Sequence, residues 1–245
     1  MFKQRFAVVV LAALFSSGAY AGHWTYEGEE GPEHWGDISA DFAICAKGKT
    51  QTPVDIQHEV KVARFDAIKF NYVTAASEIL NNGHTVQVNV PAGSFINVDG
   101  TDFQLKQFHF HTPSENSVHG KAYPMEMHLV HADKDGNLAV VAVMFKESSE
   151  NKVLARLWKQ LPTHADEKNI LAEAVNPVTL LPKAKHYYRF DGSLTTPPCS
   201  EGVRWLVLKD PIAVSREQID AFAAVVHEHN ARPLQPVGAR VIISE

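Results

Sequence analysis

The stretch Gln104-Leu-Lys-Gln-Phe-His-Phe-His-Thr-Pro-Ser-Glu115, answered by Met125-Glu-Met-His-Leu-Val-His131, decides how the rest of the chain is read. Successive side chains of a β-strand point to opposite faces, so residues two apart share a face. His109 and His111 therefore point the same way, together with Gln107, while Phe108 and Phe110 point the other way. In the second segment Glu126 and His128 share a face, and Met125, Met127 and Leu129 point away. Pairing the two strands brings three imidazoles to one point. Three neutral His ligands with a fourth position left open make a catalytic zinc site, whereas a structural site needs a fourth protein ligand, usually Cys, and none stands nearby. The rival reading is chance, because the chain has 13 His and a His-x-His on a strand is otherwise a solvated or hydrogen-bonded pair. Gln107, Glu126 and Glu115 stand where partners would be needed to fix the orientation of the rings.

Of the 245 residues, the first 21 read as a signal peptide and residues 22–245 as one mature domain. Lys3 and Arg5 form a positive start, residues 7–15 an apolar run too short to span a bilayer, and Ala19-Tyr-Ala21 a cleavage site. No later apolar run is long enough for a transmembrane helix. The formal net charge is −5, and loss of Lys3 and Arg5 makes it more negative, which argues against nucleic acid or an anionic membrane as partner of the mature form. Export implies an oxidising compartment, here the periplasm. Cys45 and Cys199 are then the natural pair for a disulfide, with two buried free thiols as the rival reading. A metal-binding role for the two fits poorly, since they lack C-x-x-C spacing.

Residues 84–90 alternate as a half-buried strand should, after a turn signalled by Asn81-Asn-Gly83. Residues 138–145 and 203–208 are nearly continuous apolar runs, so central strands. Val153, Leu154, Leu157, Trp158 and Leu161 recur at helical spacing, and Ser215-Arg-Glu-Gln218 resembles a capping box that opens a second helix. The segments His23-Trp-Thr-Tyr-Glu27 and Gly31-Pro-Glu-His-Trp-Gly36 read as irregular. The fold class expected is mainly β with peripheral helices (α+β), a single domain around a large central sheet.

These residues closely resemble the α-class carbonic anhydrases from about His23 to the C-terminus. Gly31-Pro-Glu-His-Trp35, Gln51-Thr-Pro-Val-Asp55, Asn81-Asn-Gly-His84, Gln107-Phe-His-Phe-His111, Ser114-Glu115, Glu126-Met-His-Leu-Val-His131 and Ser193-Leu-Thr-Thr-Pro-Pro198 stand in that family's order. The resemblance implies a twisted, mostly antiparallel sheet of about ten strands with one zinc ion at the bottom of a conical cleft. It also implies membership of the bacterial, periplasmic branch, a Cys45–Cys199 disulfide and often a homodimer. Position by position, it makes His109, His111 and His128 the zinc ligands and Gln107 and Glu126 the groups orienting His109 and His128. Thr195 becomes the acceptor of a hydrogen bond from zinc hydroxide, Glu115 the acceptor from Thr195, and His84 a proton shuttle at the cleft mouth with room to swing. Thr196, Tyr26, Asn82 and Gln87 correspond to a polar, water-ordering wall. Val130, Val140, Leu194, Val203 and Trp205 correspond to the apolar wall where carbon dioxide sits. Thr112, where animal members commonly have Trp, and a shortened loop before Glu115 depart from the pattern at the cleft rim.

The function so implied is reversible hydration of carbon dioxide to bicarbonate and a proton by attack of zinc hydroxide. One alternative is a non-catalytic binding module on the same scaffold, which would typically have lost a ligand. Another is a cupin-type metal oxygenase, since His109-x-His111-x-x-x-Glu115 fits half of that motif, but the second half is absent. A metallo-β-lactamase would want Asp at position 113, which is Pro.

Overall fold

A computed structural model describes residues 22–62, 66–227 and 229–244. The expected signal peptide, residues 1–21, lies outside the described residues. Fourteen strands are found among them, β1 (Asp55–Ile56), β2 (Val60–Lys61), β3 (Lys69–Asn71), β4 (Ala76–Asn81), β5 (Val86–Asn89), β6 (Phe95–Val98), β7 (Thr101–His111), β8 (Ser117–Val118), β9 (Met125–Ala132), β10 (Leu138–Glu147), β11 (Lys168–Val175), β12 (Tyr187–Ser193), β13 (Glu201–Val214) and β14 (Ile243–Ser244). Twelve form one sheet in the order β11-β4-β5-β7-β9-β10-β13-β12-β14-β2, with β6 pairing to β7 and β3 to β6 beside this path. Neighbours are antiparallel except β10 with β13 and β14 with β2. β1 and β8 pair separately. The main path thus holds the ten strands expected.

Both faces of the sheet are covered, which is why its central strands are apolar without a break. Val141, Val143 and Phe145 of β10 join Phe108, Phe110, Met125, Met127, Leu129 and Leu206 in one core. Val140, Ala142 and Met144 face the other way, with Val203, Trp205 and Val207 of β13. Two helices, α3 (Lys152–Trp158) and α4 (Arg216–Val225), close the first core. Trp158 and Phe222 both pack on Phe110, at 5.1 and 6.0 Å between ring centroids. The Ser215–Gln218 capping box forms as the sequence suggests. The first of these helices ends at Trp158, three residues short of Leu161, which still packs on the core.

The sequence expectation for residues 84–90 needs correction. β5 begins only at Val86, and His84 belongs to the preceding turn. The Asn82 carboxamide oxygen accepts the backbone N–H groups of His84 and Thr85 at 3.0 and 2.9 Å, so those donors are taken by the turn. The irregular N-terminal region also contains two short helical pieces, Trp35–Ile38 and Ile44–Lys47.

No helix among the described residues is long and apolar enough to cross a membrane.

Candidate metal centre

Strand register builds the site. His109 of β7 lies directly opposite His128 of β9, and His111 opposite Glu126. A bulge between Leu105 and Gln107 sets this pairing; without that extra residue every side chain beyond it would face the wrong side. One ligand nitrogen from each of His109, His111 and His128 lies within 4.8 Å of the others. The histidines therefore meet on the face opposite Phe108 and Phe110.

Each ring is held by its far nitrogen. His109 Nδ1 is 2.8 Å from Gln107 Oε1, and His111 Nδ1 is 2.7 Å from the Asn230 carbonyl. His128 Nε2 lies 3.1 Å from Glu126 Oε1, an ion-pair distance that is poorly aligned for a hydrogen bond. This leaves Nε2 of His109, Nε2 of His111 and Nδ1 of His128 for a metal. His111 Nε2 is buried without a hydrogen-bond partner, a costly arrangement unless something coordinates it. Burial holds all three imidazoles below the usual histidine range, and for His109 and His128 neighbouring histidines add to the effect. Neutral imidazole is the form that ligates, so the donor set fits a divalent ion such as zinc.

Glu115 sits beneath the cluster, with Oε2 3.5 Å from His111 Nε2 and 3.8 Å from His128 Nδ1. Its Oε1 accepts the Arg232 backbone N–H at 2.9 Å, and it is hydrogen-bonded to the Thr195 side chain. Burial pushes Glu115 up to about 8, against the pull of these two bonds and of the Arg232 guanidinium. Glu126 is also pushed up by burial, and its two oxygens accept the Asn116 backbone N–H and side-chain amide, both at 2.8 Å.

A cavity of about 130 Å³ opens over His109 and His111, with Thr196, Tyr26, Asn82 and Gln87 in its wall. Tyr26 is raised well above the ordinary phenol range, first by burial and then by the charge of Glu115. Val140, Val203 and Trp205 are buried in one apolar cluster, with Val130 and Leu194 packed against it. Trp205 stands edge-on to His128 at 4.9 Å, and its Nε1 donates to the Ser193 carbonyl at 3.0 Å, bracing the segment that carries Leu194 and Thr195. Cys45 and Cys199 are disulfide-bonded, with Cα atoms 5.0 Å apart.

His84 lines the same cavity as His109 and His111, but it has no room to swing. Its ring lies flat on Trp24, with centroids 3.6 Å apart and planes 9° from parallel. Asn230, Arg232, Asn116 and the stacking partner Trp24 were not singled out from the sequence. Trp24 stands in an aromatic-rich segment, which is a weak signal; the other three carry none in their neighbourhood.

The family model for eukaryotic-type carbonic anhydrases matches residues 30–245. A carbonic anhydrase of Pectobacterium atrosepticum is 47% identical over 243 residues, covering 98% of this chain and 99% of that protein. The α-carbonic anhydrase of Thermovibrio ammonificans, solved with the inhibitor sulfanilamide, superposes with a TM-score of 0.89 at 47% identity, covering 91% of this chain and 99% of the other. The α-carbonic anhydrase of Photobacterium profundum gives a TM-score of 0.86 at 50% identity, covering 90% and 100%.

Proposed function

The chain belongs to the α-class, or eukaryotic-type, carbonic anhydrase family, whose reaction is the reversible hydration of carbon dioxide to bicarbonate and a proton; we propose that this chain works with one zinc ion held by His109, His111 and His128. The observation that carries this reading is the convergence of three neutral imidazoles whose far nitrogens are already fixed. When bound, zinc lowers the pKa of its water to about 7, a value established for carbonic anhydrases themselves, and its charge would draw Glu115 towards the carboxylate.

The chain's own groups then have distinct tasks. A carboxylate at Glu115 only accepts, so the Thr195 hydroxyl donates to it and turns its lone pairs to the cleft. Ligands able to donate a hydrogen bond to Thr195 are thereby favoured over those that cannot. Gln107 and Glu126 orient His109 and His128 and keep their tautomers fixed. Val130, Val140, Leu194, Val203 and Trp205 exclude water from the place where uncharged carbon dioxide is held. Tyr26, Asn82, Gln87 and Thr196 hold water on the polar wall, along which protons leave.

His84 takes up those protons. A group of pKa about 7 releases a proton directly to water at only about 10³ s⁻¹, even with recombination near the diffusion limit of about 10¹⁰ M⁻¹s⁻¹. Enzymes of this chemistry reach about 10⁶ s⁻¹. A side chain that titrates near neutrality closes the gap, and His84 lies on the cavity that leads to the ligands.

The Cys45–Cys199 disulfide suits an oxidising setting, extracellular or periplasmic. Cleavage after Ala21, release into the periplasm and assembly as a homodimer complete the proposal. Stopped-flow hydration of carbon dioxide, run beside metal analysis, tests its centre. Wild type should carry one zinc per chain and lose activity to a chelator, and His128→Ala should lose metal and activity together. A folded, metal-free His128→Ala protein with full activity would overturn the assignment.

A further inference from the structure

We propose that His84 stays stacked on Trp24 and passes protons outward, through a second cavity, to a rim of histidines formed by His23, His227 and His229. The proposal rests on the shuttle reading of His84 and extends it.

The cavity over the metal ligands has a neighbour of about 240 Å³. Trp24, Tyr26 and His84 line both, so the stacked pair is the partition between them. The inner side carries His109, His111 and Thr196. The outer side carries His23 from the N-terminal segment and His227 and His229 from the loop after α4. All three outer histidines are exposed. Glu27 also lines the outer cavity, and Glu30 lies 3.6 Å from His23 Nδ1.

A side chain stacked face to face at 3.6 Å must break that contact to swing. A stationary imidazole needs no such step, because it can take a proton on one ring nitrogen and release another from the other. Its outward proton then needs an acceptor, and the outer cavity is roomy enough for several bridging waters. Imidazoles drawn from both ends of the chain surround it and present several exposed acceptors to buffer in place of one half-buried ring. Burial first, and the charge of His23 second, lower the proton affinity of His84, which favours release towards the rim and shows that His23 is felt at the shuttle.

The test is a set of full-length, zinc-loaded variants: His84→Ala, the triple variant His23→Gln/His227→Gln/His229→Gln, and the two combined. In dilute buffer the triple variant should lower kcat by between about threefold and the roughly hundredfold that a full proton-transfer group contributes. Its kcat/KM should hold, and added imidazole should restore the rate. Adding the triple change to His84→Ala should cost nothing further, because the groups act in series. Independently of activity, the NMR titration midpoint of His84 should rise when His23 is replaced, in zinc-free as well as zinc-loaded protein. If His84→Ala loses rate but the triple variant does not, the relay is wrong and the shuttle stands. If His84→Ala itself loses nothing, the shuttle reading fails and takes the relay with it. A parallel fall in kcat/KM for the triple variant, or no rescue by imidazole, would mean that the rim shapes the cleft and carries no protons.

Discussion

Asn230 holds four groups in place at once. Its carbonyl accepts from His111 Nδ1 at 2.7 Å, and its side-chain oxygen accepts the Thr112 backbone N–H at 2.8 Å. Its amide nitrogen donates to the carbonyls of Phe110 and His84, at 2.9 and 3.1 Å. One buried side chain thus ties the end of β7 to the turn that carries His84. Asn230→Ala would strip three backbone groups of their partner and leave a void. At about 1–3 kcal/mol for each orphaned buried group, partly relieved by water, the loss should be about 2–4 kcal/mol, read as a lower midpoint in urea unfolding. Zinc affinity should weaken as well, because a carbonyl that fixes a ligand ring moves with its own side chain. A variant within about 0.5 kcal/mol of wild type would show that the site does not depend on this residue. The ligands themselves were legible because period-two spacing is local. Asn230, Arg232 and Asn116 were not, because each reaches its target across the fold and Asn230 and Arg232 do so partly through backbone atoms, which carry no residue identity.

At the scale of elements, the strands with clear alternation or unbroken apolar runs were legible, and their ends were not. β10 reads from its composition alone because both of its faces are buried. The helical pieces at 35–38 and 44–47 are too short to display a period of 3.6. β12 owes its position to a close approach that no pattern reveals. A Cβ on Gly192 would stand 2.1 Å from Thr52 Oγ1 and 2.8 Å from Trp205 Cδ1. Neither neighbour is free to give way. Thr52 Oγ1 accepts the Ser193 backbone N–H at 3.0 Å, and Trp205 is fixed by its bond to the Ser193 carbonyl. Gly192→Ala should therefore cost at least the about 1–3 kcal/mol of an overpacked core. It should also depress carbon dioxide hydration, since the displaced atoms adjoin Leu194 and Thr195. Circular dichroism melts and steady-state rates on the same preparation would check both, and an unshifted melt would contradict the packing argument.

For the whole molecule, the β-rich class was legible but the strand order was not. The parallel pairing of β10 with β13 joins segments about sixty residues apart in sequence, and register across such a distance is fixed by packing, not by a turn. The same sheet sets how the protein meets acid. His131 lies on the face of β9 away from the metal cluster, fully buried, with Nε2 2.7 Å from the Tyr72 hydroxyl and Nδ1 3.2 Å from the Ala139 carbonyl. Burial drives its pKa down to about 3, against hydrogen bonds to the Ala139 and Leu129 carbonyls that pull it back up. In the unfolded chain the same ring titrates near about 6.5. Between these values the unfolded state binds a proton that the folded state refuses. The contribution to stability is therefore complete above about pH 6.5 and is lost as pH falls towards 3, at up to about 1.4 kcal/mol per pH unit. Replacing both partners by apolar groups, as in Tyr72→Phe/His131→Leu, removes the titration without leaving the Tyr72 hydroxyl or the ring unpaired. Urea unfolding of both proteins, metal-free and at matched pH, should give curves of stability against pH that run parallel above about 7 and diverge below about 6, with wild type the steeper. Every other titrating group is shared and drops out of the difference. Curves that stay parallel down to pH 4 would mean that His131 is not held neutral in the folded protein, and the acid sensitivity would then have to arise elsewhere in the chain.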